Sequence, residues 1–117
     1  MKADRIGHGL HAIDDPELVR HLADKQIPVE VCITSNVMTG CCARIEDHPV
    51  RKLFEAGVLV TLNTDDPDMF RTTLSREYQL AHEVFGFSEA ELRELARNSF
   101  RASFLPEEKQ RELLAMI

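Results

Sequence analysis

Short apolar runs that alternate with amphipathic segments predict an α/β fold built on a parallel sheet. Val58, Leu59, Val60 and Leu62 form one such run, apolar on both faces, which is the pattern of a strand covered by helices. Val29 and Val31 lie in a second extended run, and a third short one ends in RIGHG at residues 5–9. Between these runs lie helical patterns punctuated by proline at their starts and glycine at their ends. Strands alternating with helices in this way are parallel and joined by right-handed crossovers.

The first helix starts at Asp15 and Pro16, a cap followed by a first-turn proline, and Leu18, Val19, Leu22 and Ala23 fall on one of its faces. The second strand is expected over residues 28–33, where Val29 and Val31 alternate with Glu30 and Cys32. A long polar loop, residues 34–48, then leads to a short helix that opens at Pro49 and stops at Gly57. The third strand follows, and after it a single helix is expected from Pro67 to Phe85, stopping at Gly86. Ser88 and Glu91 form a capping box for the next helix, whose Leu92, Leu95, Ala96, Ser99 and Phe100 make one stripe. Pro106 opens the last helix. No repeat, low-complexity segment or linker divides the chain, so residues 1–117 are expected to form a single unit. Three strands cannot close a barrel and leave two sheet edges open. The chain is therefore either a small three-layer sheet or a piece of a larger one, and its almost immediate entry into a strand favours the piece.

Composition narrows the partners. A hydrophobic content of 44% with a formal net charge of -6 suits a globular protein. Without a lysine and arginine cluster, neither nucleic acid nor an anionic membrane surface is expected as a partner, and a small molecule is. No stretch approaches the roughly 20 apolar residues of a membrane span, and MKADRIGHG lacks a signal-peptide core, so a cytoplasmic location is expected. Cys32, Cys41 and Cys42 are odd in number and lack CxxC spacing, which points to reduced thiols rather than a disulfide framework or a cysteine zinc site.

The candidate chemistry lies in LNTDDPDM at residues 62–69, where Asp65 and Asp66 directly follow the third strand. The carboxyl ends of parallel strands are where substrates and metals bind. Asp66 before Pro67 is also a good helix N-cap, which explains one carboxylate; a second beside it calls for a cation or proton to offset repulsion. His8 follows the first strand and shares the same rim. His11, in the loop after it, is close enough in sequence to reach that rim. His21 and His82 fall within helices, and His48 before Pro49 reads as a cap. Ser35 and Asn36 read as turn formers. Gly7 and Gly9 read as positions of close backbone approach or unusual dihedrals.

Taken in order, RIGHG at 5–9, EVCITSNVMTG at 30–40, HPVRKLFEAGV at 48–58, LNTDDPDMF at 62–70 and NSFRASFLPEEK at 98–109 resemble the adenosine deaminase family of zinc aminohydrolases. The resemblance spans nearly the whole chain and is to the carboxyl-terminal part of such an enzyme. It implies a partial TIM (β/α)₈ barrel, about three parallel βα units plus C-terminal helices. It implies hydrolytic deamination of adenosine to inosine and ammonia by a zinc-activated water. Residue by residue, Asp65 matches the carboxylate that completes the zinc shell. Asp66 matches the acid that hydrogen-bonds the imidazole part of the purine, and His8 the catalytic histidine that orients the water. The family's early His-x-His, and its later histidine followed closely by a catalytic glutamate, precede the RIGHG segment and are absent from this sequence. Zinc sites take three or four protein ligands, so the chain alone is expected to be inactive and to hold no zinc. A purine nucleoside is the implied ligand, and an N-terminal fragment or a second copy docking on the open sheet edges is the implied macromolecular partner. Ile33 departs from the family at a position where many relatives carry proline.

Two readings from other classes compete. One is a non-catalytic α/β module, truncated or acting as an interaction subunit through its sheet edge. The other is a small receiver-like fold in which paired acids bind magnesium, which needs a further phospho-accepting aspartate; Asp4 suits that role poorly.

Overall fold

The computed structural model of the chain describes residues 2–117. Its sheet has three parallel strands in the order β1 (Ile6–Gly7), β2 (Val29–Val31) and β3 (Val60–Leu62). The register pairs Ile6 with Val29 and Val29 with Val60, so Gly7, Glu30 and Thr61 form one cross-strand row. Val29, Val31, Val60 and Leu62 are buried and join Leu22, Leu53 and Leu95 in the core. Side chains alternate along each strand. The Gly7, Glu30 and Thr61 row therefore lies on the opposite face from these valines.

Helix α1 (Pro16–Lys25) begins as the sequence predicts, with the Asp15 carboxylate accepting from the Glu17 and Leu18 amides at 3.0 and 3.2 Å. Helix α3 (Val50–Glu55) fills the second crossover, and Gly57, with φ at 85°, ends that turn. Beyond β3 lie α4 (Pro67–Phe70), α5 (Leu74–Phe85), α6 (Glu89–Arg101) and α7 (Glu107–Leu114). The Ser88 capping box is present, with Glu91 receiving the Ser88 amide at 2.9 Å. Asn98 on α6 donates to the Val60 carbonyl at 3.0 Å, covering part of the outer edge of β3.

Three expectations are corrected. The loop expected over 34–48 contains a helix, α2 (Ile33–Met38), and a 3-10 turn at Ile45–Asp47. Strand β2 is correspondingly shorter than 28–33, because Ile33 is already the first helical residue and fully buried. Proline is well suited to a first helical position, so the Ile33 departure falls where the backbone accepts either residue. The single helix expected over 67–85 is two: Arg71 turns left-handed at φ 50° and ends α4, and Thr73 caps α5 by accepting from the Arg76 amide at 3.1 Å. The break is held by Glu77, fully buried, which accepts from the Thr72 hydroxyl at 2.8 Å and from the Thr34 amide and hydroxyl. Local polar bonding here overrides the apolar periodicity that suggests one helix.

Candidate active site

Parallel strands direct their carboxyl ends to one rim, and the residues that follow β1, β2 and β3 meet there. His8 follows β1, anchored by its own amide donating to the Glu30 carbonyl at 2.9 Å. Asp65 follows β3 across the short Asn63 and Thr64 link, with the Asn63 amide donating to the Val31 carbonyl at 2.8 Å. Both residues have left-handed backbones, φ 63° for His8 and φ 59° for Asp65. A non-glycine residue in that region carries of order 1 kcal/mol of strain, which clusters where a side chain must be aimed. Here it turns both side chains toward each other, with His8 Nε2 at 3.6 Å from Asp65 Oδ2. Gly9 continues the turn at φ 63°, where a Cβ would stand 3.0 Å from a Val29 methyl; Gly7 needs no such exemption.

The two side chains open on a cleft of about 580 Å³ lined by Gly7, Glu30, Cys32, Leu62, Asn63 and Thr64, as well as by His8 and Asp65 themselves. Glu30 is held to Arg5 at 2.9 Å, so the cleft floor carries a compensated pair. The Cys32 thiol is pushed up to about 12 by burial, with the Asp65, Glu77 and Glu30 carboxylates adding to the effect. It is therefore a neutral wall of the cleft and no thiolate ligand.

Helix α2 supplies two residues that the sequence pattern assigns to a turn. Ser35 donates to Asp65 Oδ2 at 2.7 Å, and the Asn36 amide nitrogen lies 3.1 Å from His8 Nδ1. Asn36 Oδ1 lies 2.9 Å from His48 Nε2, and His48 Nδ1 accepts from the Val50 amide at 3.1 Å. Ser35 and Asn36 are thus buried helical residues and not turn formers. His48 does cap the start of α3, but it is also buried behind the site, with its ring edge-on to Phe85 at 6.3 Å between centroids. Burial brings its pKa down to about 4, so the ring is neutral. The positional logic that singles out Asp65 applies equally to the polar pair after β2, and that is the signal that finds Ser35 and Asn36.

Asp66, next in sequence, is the N-cap of α4, its Oδ1 accepting from the Met69 amide at 2.9 Å, and does not itself line the cleft. His11 turns to Asp14 at 3.2 Å in the exposed 3-10 turn of Leu10–Asp14 and does not line the cleft. His21 and His82 lie in α1 and α5 as expected. The three cysteines are free. Among the described residues no helix is long and apolar enough to cross a membrane. A metal needs three or four ligands, and among the described residues no group of three or more His, Cys, Asp or Glu is placed to hold one. Asp65 offers a single carboxylate at the open cleft.

The family model for adenosine deaminase matches residues 1–117. An adenine deaminase of Rhizobium leguminosarum is 48% identical over 97% of the chain, and an aminodeoxyfutalosine deaminase of Streptomyces coelicolor is 47% identical over 90%. The chain covers 35% of the first relative and 27% of the second, so it spans between about a quarter and a third of their length. Among solved structures, an adenine deaminase from Arthrobacter aurescens superposes with a TM-score of 0.92 at 33% identity, over 97% of this chain and 35% of that one. A Burkholderia ambifaria amidohydrolase with bound zinc gives 0.87 at 28% identity, over 97% and 32%. Arabidopsis ADAL complexed with IMP gives 0.83 at 35% identity, over 97% and 33%. The three parallel strands and their helices accordingly superpose on about a third of such a barrel enzyme, in keeping with the partial (β/α)₈ barrel that the resemblance implies. By the match along its whole length and by these relatives, the chain belongs to the adenosine deaminase family.

Proposed function

We propose that residues 1–117 form one unit, the carboxyl-terminal part of the catalytic centre of a zinc-dependent enzyme that hydrolytically deaminates a 6-aminopurine. The observation that carries the reading is the approach of His8 Nε2 to Asp65 Oδ2 at 3.6 Å, across two strand ends and in an open cleft. The family name suggests adenosine, whereas the relatives named for adenine favour a site that reads the base. Both substrates share the amino-bearing ring carbon at which water adds and from which ammonia departs.

Zinc, when bound, lowers the pKa of the attacking water toward about 7. Asp65 would be one of its ligands, with the remainder coming from outside this chain. Ser35 fixes Asp65 by its 2.7 Å hydrogen bond to Oδ2. His8 would hold the water in line with the ring, and Asp66 would hydrogen-bond the imidazole part of the purine. Cys32 and Leu62 provide neutral surface against which the base can lie.

The test combines the chain with the part of the Rhizobium relative that it does not cover, and follows ammonia release from adenine and from adenosine. The combined protein is expected to turn over, and the chain alone is not. His8→Ala should cut turnover by about 10²–10⁴-fold at unchanged zinc content. Asp65→Asn should lose zinc as well as activity. Full zinc and full turnover in both variants would refute the assignment, as would deamination by the unassisted chain.

A further inference from the structure

We propose that His48 and Asn36 are positioning residues that form a one-way hydrogen-bond relay from the Val50 amide and hold His8 with its hydrogen on Nε2, directed at Asp65 and the cleft. The direction follows from a single group whose role cannot be reversed. A backbone N–H only donates, so His48 Nδ1, 3.1 Å from the Val50 nitrogen, must carry a lone pair. In a neutral imidazole the other nitrogen then bears the hydrogen, and His48 Nε2 donates across 2.9 Å. Asn36 must answer with its carbonyl oxygen, which commits its amide nitrogen to the opposite side. There it meets His8 Nδ1 at 3.1 Å and can only donate. His8 Nδ1 is thus an acceptor, and Nε2 carries the hydrogen.

The inner part of the relay is isolated from solvent, so water does not scramble its direction before it reaches the exposed His8 ring. His48 is 3% exposed and Asn36 1%. Among the described residues no buried side-chain nitrogen or oxygen lacks a partner, so each relay group is committed to a single donor or acceptor role. The left-handed backbone of His8 completes the orientation by swinging Nε2 to Asp65 Oδ2. An inner histidine is thereby the orienting partner of the outer one. Resting on the deaminase function, this makes His8 a hydrogen-bond donor to whatever occupies the cleft at Nε2, with its second nitrogen already engaged.

Nitrogen-15 NMR of the histidine rings in the full chain, recorded above the ordinary imidazole range of about 6.5, reads the tautomers directly and needs no zinc or turnover. Both His8 and His48 are expected as the Nε2–H form. Asn36→Asp keeps the shape but can only accept, so the His8 hydrogen should move to Nδ1. His48→Gln, whose amide can still donate to Asn36, should leave His8 as Nε2–H. A His8 ring with its hydrogen on Nδ1 in the parent, or one indifferent to Asn36→Asp, overturns the proposal. Should Asn36→Asp fail to fold, the parent spectrum alone decides. Loss of the deaminase function would leave these tautomers unchanged, so the two failures are distinct.

Discussion

His48 has a cost that acid should expose. Its ring is buried with Nδ1 accepting from the Val50 amide, and burial lowers its pKa from 6.5 to about 4. The unfolded chain takes up a proton as pH falls through about 6.5, while the folded chain does not until about 4. Stability is therefore fully present above the unfolded value and lost as pH falls toward the folded one. Between pH 7 and 5 this one group should cost about 2 kcal/mol of unfolding free energy. Urea unfolding at the two pH values measures it, and His48→Gln should flatten the difference; an equal slope in the variant would place the acid sensitivity elsewhere. The sequence shows the cap in HPV but not the burial, because burial depends on Phe85 and α2 arriving from other parts of the chain. That His8 and Asp65 come to one rim is legible since each lies within three residues of a strand's carboxyl end, and strand ends are places that local pattern marks. Their left-handed dihedrals are not, since neither residue is glycine.

At the scale of elements, the turn between α4 and α5 shows where periodicity misleads. Met69, Leu74 and the apolar residues beyond them continue a helical pattern, yet Arg71 leaves it at φ 50°. Arg71 is exposed there and its backbone amide closes on the Pro67 carbonyl, the position a helix ends with glycine. Arg71→Gly should relieve the strain of a side chain in that region and raise stability by about 0.5–1 kcal/mol, after the entropy glycine adds to the unfolded chain. Thermal unfolding checks it, and a destabilised variant would mean that the Arg71 side chain contributes contacts worth more than the strain. The signals for α1, α3 and α6 are legible because proline, glycine and the capping box act within a few residues of the ends they mark. Helix α2 is not, because its TSN segment consists of residues that favour turns. Its formation depends on the Glu77 carboxylate binding the Thr34 amide and hydroxyl from α5, 43 positions away.

For the whole molecule, the sheet has one edge partly covered and the other open. Asn98 covers the outer carbonyl of Val60 on β3, whereas β1 is the opposite edge strand, only two residues long. Beside it runs an apolar groove of about 390 Å³ lined by Ile6, Leu10, Ala12, Leu18, Leu22 and Val29. Such an edge pairs with another strand unless it is covered. In a barrel of the length of the relatives, further strands and helices would lie there. A chain of this length alone should use a second copy instead. Leu10, Ala12, Leu22 and Val29 are already buried, so a partner would cover mainly the half-buried Ile6 and the exposed Leu18, worth at most roughly 1.5–3 kcal/mol each, against an association cost of several kcal/mol. Weak association, with a dissociation constant of about a millimolar or above, follows. Sedimentation equilibrium should show a mass that rises with concentration, and Ile6→Lys should shift the chain toward monomer. Adding the uncovered part of the Rhizobium relative should compete with the second copy for the same edge. A chain that stays monomeric at all concentrations, with Ile6→Lys indistinguishable from the parent, would mean that β1 is shielded from within and that the groove has no need of a partner.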